Sequence, residues 1–242
     1  MPFTSTYLLL FLFTFLSFTY SSPLSTFEIH GWRWHNLSLK SSMSRLSLMC
    51  SSYPEYAVSD IIKSGKYCCG FNHDTLYLTE TGIFKPWLIH KMRESREEIK
   101  ETIEEVWRRK GIIKERNEIC KTLIEELNEE GDVEKVLGEL KINAEIISGL
   151  IEDNMKEQDS IIIPEINLQS SSRDQKKLNN KILKSLGITN ARTHLNSMWD
   201  VVQHYPEEVK IWKVKIPKVA RVVVGGRGWE ERIGRMREIK PF

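Results

Sequence analysis

Apolar residues recur every three to four positions between residues 87 and 155. Ile99, Ile103, Val106 and Trp107 make one stripe, Ile119, Cys120, Leu123, Ile124 and Leu127 a second, and Val133, Val136, Leu137, Leu140, Ile147 and Ile151 a third. A helix gathers such positions onto one face, so the region predicts amphipathic helices. Pro86 suits the first turn of the series, because its missing N–H is one that a helix start leaves unpaired anyway. Gly111 and Gly131 are the expected breaks, and Asp132 the expected N-cap of the last segment. Each stripe is wider than a heptad seam, so residues 86–157 predict a helical hairpin or three-helix unit in place of one long coiled coil. Upstream, residues 55–85 carry weaker signals: Ser59 ahead of a short helix with Ile61 and Ile62, then a strand-like run at Leu76–Leu78.

From Ile161 the rhythm changes. Ile161, Ile162, Ile163, Ile166 and Leu168 form a run interrupted by Pro164, the pattern of an edge strand. Leu178, Ile182, Leu183 and Leu186 then fall on one helical face, and Gly187 supplies a stop. A short strand is expected at Arg192–Leu195, then a second helix through Met198, Trp199, Val201 and Val202, ended by Pro206. Over 209–216 apolar residues alternate with lysines after one slipped position, which reads as a closing strand with a bulge. The order β-α-β-α-β predicts an α+β, ferredoxin-like domain at 160–216. The acidic helical region precedes it, and a basic hairpin or tail, 217–242, follows it.

Ile166-Asn167-Leu168-Gln169-Ser170-Ser171 is followed, after eleven residues, by Leu183-Lys184-Ser185-Leu186-Gly187-Ile188. The pair is similar to the first strand and the end of the first helix of the bacterial-type large-subunit ribosomal protein L-thirty family. Ser197–Val202 and Glu208–Ile211 are similar to that family's second helix and closing strand, while Asp174 stands where the family loop carries glycine. The resemblance covers residues 160–216 alone. It implies a ferredoxin-like fold and a non-enzymatic role as a structural constituent of an organellar large ribosomal subunit, touching ribosomal RNA and neighbouring ribosomal proteins. On that resemblance, Arg173, Lys176, Lys177, Lys181 and Lys184 of the loop and first helix face RNA.

The net charge of +2 conceals an asymmetry. Residues 93–159 carry 12 positive and 20 negative side chains, whereas residues 173–242 carry 16 and 7. A basic C-terminal third favours a polyanionic partner, nucleic acid being the commonest. Charge alone adds Arg227, Arg232, Arg235 and Arg237 of the tail to the expected RNA contacts. The same asymmetry supports a second reading, a secreted or organellar helical adaptor. Its acidic helices would bind a protein partner while the basic third folds back on them.

At the other end, Tyr7–Phe18 is an apolar run of twelve residues, too short to span a bilayer comfortably. It reads as a signal-peptide core with cleavage after Ser21. Residues 22–54 hold one acidic side chain, Glu28, among many serines, a transit-peptide composition. Together they predict a two-part leader, removed between about residues 45 and 60. The destination it implies is a plastid reached through the secretory route, with a mitochondrion or secretion as alternatives. Beyond the leader, Cys68, Cys69 and Cys120 make no disulfide framework. Adjacent cysteines near His73 do not ligate one tetrahedral ion cleanly, so neither a metal nor another cofactor is expected. Gly225–Gly228 lacks the spacing of a nucleotide loop, and no set of catalytic residues is apparent.

Overall fold

The computed structural model describes residues 28–127, 132–216, 221, 224 and 233–240, and every regular element among them is helical. In chain order these are α1 (His30–Ser51), α2 (Val58–Asp74), a π-helical stretch (Thr75–Phe84), α3 (Lys85–Lys91), α4 (Glu97–Glu126) and α5 (Val133–Glu157). A second π-helical stretch (Gln158–Ile162), α6 (Ile163–Gln169), α7 (Ser172–Val202), α8 (Pro206–Lys215) and a 3₁₀ turn (Gly234–Glu238) follow. Helices α1, α2, α4 and α5 close a ring in which each packs on the next. Paired side chains run in opposite directions along neighbours: Ser44 meets Ser148 while Asn36 meets Gln158, and Asn72 meets Asn117 while Glu80 meets Lys110. The ring is therefore an up-down-up-down four-helix bundle. Helix α7 lies outside it, against α1 and the first π-helical stretch.

The ferredoxin-like α+β fold expected for residues 160–216 is overturned, since no strand occurs among the described residues. The reasons can be named. Ile162 and Ile166 are both wholly buried and sit four residues apart, which puts them on one face of a helix. Pro164 is tolerated because it falls in the first turn of α6. In α8, Val209, Trp212 and Ile216 fall at i, i+3 and i+7, and the slipped position in the period-two reading is where the helical period shows through. Pro206 opens that helix, Glu207 and Glu208 occupy its first turn and Lys213 and Lys215 its last, each charge suited to the helix dipole. Arg192–Leu195 is the interior of α7, which continues across Gly187. A mid-helix glycine costs about 1 kcal/mol relative to alanine, and burial of all of residues 194–198 outweighs it.

Two features of the helical region also differ from expectation. Gly111 does not divide α4, and Leu76–Leu78 lies in the first π-helical stretch. Asp132 does cap α5, its carboxylate accepting from the Lys135 N–H at 3.1 Å; Gly131 lies outside the described residues. Each π-helical stretch stands just ahead of a proline, Pro86 or Pro164. Proline has no N–H, and its ring crowds the carbonyl four residues back. A wider i→i+5 turn moves carbonyls out of line and lets the helix run on.

Three apolar clusters fill the interior, and α1 contributes to all of them. Leu39, Met43, Leu46 and Met49 enter the main core between the ring helices. Trp32 enters a second cluster with Phe84, Leu88, Ile103, Ile162 and Leu178. Trp34 packs with Leu195, Met198, Val202 and Trp212 in a third. The apolar residues of 160–216 are thus divided between two clusters, each completed by a tryptophan of α1. Nor is the segment 22–54 silent about the fold, because it contains α1, with fifteen of twenty-two residues buried. Among the described residues no helix is long and apolar enough to cross a membrane; Tyr7–Phe18 lies outside them.

Two outcomes follow from this placement of α1. A chain beginning at Glu55 is expected to show no cooperative thermal transition by circular dichroism, whereas one beginning at Ser22 should melt like the full chain. Leu46→Ala, a fully buried position of α1, is expected to lower the stability measured by urea denaturation by about 2–5 kcal/mol.

Candidate functional site

Helix α7 begins at Ser171, whose hydroxyl accepts from the Asp174 N–H at 3.2 Å, a conventional N-cap. From there Arg173, Lys177, Lys181 and Lys184 fall at i, i+4, i+8 and i+11, and all four are exposed. At a rise of 1.5 Å per residue they form one track with charges roughly 6 Å apart. The two acids of α7 are engaged by other helices: Asp174 pairs with Lys91 at 3.0 Å and Asp200 with the buried Arg45. Lys91 holds the Asp174 carboxyl below its usual range, through a hydrogen bond and charge, with Lys177 adding to the effect. Among the described residues, Arg173, Lys177 and Lys181 lie within ion-pair distance of no acid.

The remaining expected contacts are not brought to this track. Lys176 turns inward to Glu28 at 3.6 Å. Arg235 is a structural clip: it binds Glu238 at 3.1 Å, approaches Asp60 at 3.7 Å, donates to the Glu55 carbonyl at 3.0 Å and stacks over Tyr56. Arg237 is exposed on the 3₁₀ turn, and Arg227 and Arg232 lie outside the described residues.

Sequence reasoning missed a polar interior. His35 of α1 and His194 of α7 share a hydrogen bond of 2.7 Å, rings edge to face, beside the Phe71 ring. Around them, the Ser38 hydroxyl donates to the Ser197 carbonyl at 3.0 Å and Tyr67 bonds the Ser197 hydroxyl at 2.7 Å. Arg45 meets Asp200 farther along the same interface. Burial lowers the His35 pKa to about 4, and burial together with the charge of His35 pushes His194 well below its ordinary value. Both rings are therefore neutral near pH 7, one nitrogen of the shared bond donating and the other accepting. A second polar group sits where the first π-helical stretch bridges α1 and α4: Glu80 accepts from the Trp32 indole at 2.9 Å and pairs with buried Lys110, whose ammonium lies over the Trp107 ring. The only signal for either group lay in α1, in Trp32, His35 and Arg45, within the stretch read as a leader.

Neither interior group is arranged as a metal centre. Among the described residues no three histidines, cysteines or carboxylates converge to hold an ion. All four cysteines are free and buried, and burial pushes the Cys50 thiol up to about 12, far from a reactive thiolate. The histidine pair instead makes stability depend on pH. Above pH 6.5 both rings are neutral folded or unfolded; as pH falls below it, the unfolded chain takes up protons that the folded one resists, and stability drops. For His35, lowered to about 4, the slope below pH 6.5 should approach about 1.4 kcal/mol per pH unit, and His35→Gln should remove that contribution in denaturation series between pH 6.5 and 4.5, with His194 adding in the same direction.

Comparison of the chain with protein families, with curated proteins and with solved structures finds no match.

Proposed function

We propose that this protein is a non-catalytic helical binder of polyanions that takes the phosphate backbone of single-stranded RNA along α7. The observation that carries the reading is the exposed row of Arg173, Lys177 and Lys181, none of which lies within ion-pair distance of an acid among the described residues. Backbone binding needs a row of cations held in register, each displacing counterions from about one phosphate, and a rigid helix supplies that register. The surrounding field agrees. The acid-rich helices α4 and α5 form the edge of the ring opposite the α1–α2 edge on which α7 packs. Much of their acid is also compensated locally, by Lys100 on Glu97, Arg108 on Glu105, Lys121 on Glu118 and Lys156 on Asp153. The proposal rests on this charge arrangement and not on the ribosomal resemblance, whose implied fold the chain does not have.

The fold-back of basic third onto acidic middle, on which the adaptor reading depended, draws no support from the ion pairs. Lys176 and Lys215 run to Glu28, and Arg235 to Asp60, all outside the acidic helices.

Affinity for poly(U), measured by fluorescence anisotropy at several salt concentrations, tests the proposal. Replacing Arg173, Lys177 and Lys181 by Gln should flatten the dependence of log affinity on log salt by about 2, from the single-strand coefficient of roughly 0.7 per phosphate contact. The three side chains are exposed, so the thermal transition should not move. An unchanged salt slope would show the track to be ordinary solvated surface.

A further inference from the structure

Away from α7, a solvent-open groove of about 860 Å³ lies between α3 and the N-terminal half of α4. Its size is that of sites that take small organic ligands. Its walls are consecutive: the π-helical stretch runs through Pro86 into α3, and the turn at 92–96 leads into α4. The apolar part of the lining includes Trp107 and Ile89, the latter 52% exposed although it is a large aliphatic side chain. Trp107 is held in place before any ligand arrives. It stacks on Phe84 with ring centres 6.2 Å apart, and the ammonium groups of Lys110 and Lys85 lie 4.9 and 5.8 Å from its centre.

The charge of the lining is one-sided. Lys85, His90 and Arg93 border the groove, and among the described residues none of them lies within ion-pair distance of an acid. Glu104 is the one carboxylate in the lining. The cations of Lys85 and Arg93 over a fixed aromatic and aliphatic wall, with the His90 imidazole beside them as a further hydrogen-bonding group, complement an anion that also carries a flat apolar body. We infer that the groove is a binding site for a small aromatic acid, its ring against Trp107 and Ile89 and its carboxylate, sulfonate or phosphate between Lys85, His90 and Arg93. The site does not depend on the reading of α7, because none of its residues belongs to that helix.

The probe is 8-anilinonaphthalene-1-sulfonate, titrated into the full chain by isothermal calorimetry, beside N-phenyl-1-naphthylamine, the same ring system without the acid. One equivalent of the sulfonate should bind, and the neutral compound at least tenfold more weakly. The double variant Lys85→Gln, Arg93→Gln should weaken the sulfonate at least tenfold while the thermal transition stays in place, since neither change removes buried apolar surface. Trp107→Leu should weaken both compounds. The triple variant Arg173→Gln, Lys177→Gln, Lys181→Gln should bind the sulfonate as the parent does, which separates a failure of this site from a failure of the polyanion track. Equal binding of charged and neutral compounds, several equivalents of sulfonate, or full affinity in the Lys85, Arg93 variant would each overturn the assignment.

Discussion

Helix α1 is buried on almost every side although it is not an apolar helix, and the rest of the fold is arranged to meet that demand. A buried polar group without a partner costs roughly 1–3 kcal/mol. Ser38 and Ser42 solve the problem locally, each bonding the carbonyl four residues back. The longer side chains need partners from elsewhere. Trp32 binds Glu80, Trp34 and Arg33 bind Glu208, His35 binds His194, Asn36 binds Gln158 and Arg45 binds Asp200. These bonds reach the first π-helical stretch, α8, α7 and the second π-helical stretch. The register of nearly every element against α1 is thus set by directional bonds as well as by packing, which a greasy central helix would leave freer to slide.

The two prolines give the bundle its second organising feature. Each stands just after a π-helical stretch, and the helical path continues through it without a break. The first stretch itself holds Glu80, whose carboxylate Trp32 and Lys110 satisfy, and Phe84, which stacks against Trp107. One local backbone device therefore serves both a buried ion pair and the wall of the α3–α4 groove. Lys110 links the two, since its ammonium pairs with Glu80 and also lies over the Trp107 ring that faces the groove.

Charge is partitioned by how each helix spends its ionic side chains. In α4 and α5, acids and bases alternate at i,i+3 and i,i+4 spacing and largely answer one another on the surface. In α7 both acids are drawn into pairs with other helices, Asp174 with Lys91 and Asp200 with Arg45, and the exposed Arg173, Lys177 and Lys181 lie within ion-pair distance of no acid among the described residues. An excess of charge becomes a surface feature only when the counter-charges are engaged elsewhere, and that engagement is tertiary.

By itself the sequence determined what periodicity and local chemistry control: the amphipathic stripes of α4 and α5, the Asp132 cap, and the cation spacing of α7, all of which depend on residues within a turn or two of one another. It also carried the signals for α8, in Pro206, the flanking charges and the spacing of Val209, Trp212 and Ile216, although a period-two pattern with one slip masked them. Helix or strand in the isoleucine-rich run at 161–166 was a matter for tertiary structure, because a short apolar run fits either until something packs on Ile162 and Ile166. The fate of Gly187 was likewise decided by the burial of residues 194–198. The identity of α1 lay furthest from view. A stretch poor in acids and rich in serine has the composition of a targeting leader, and it has the same composition when it is a helix buried all round, where carboxylates are excluded and small hydroxyls bond their own backbone. Composition cannot separate the two, since the difference consists of partners contributed by residues 48 to 174 positions away along the chain.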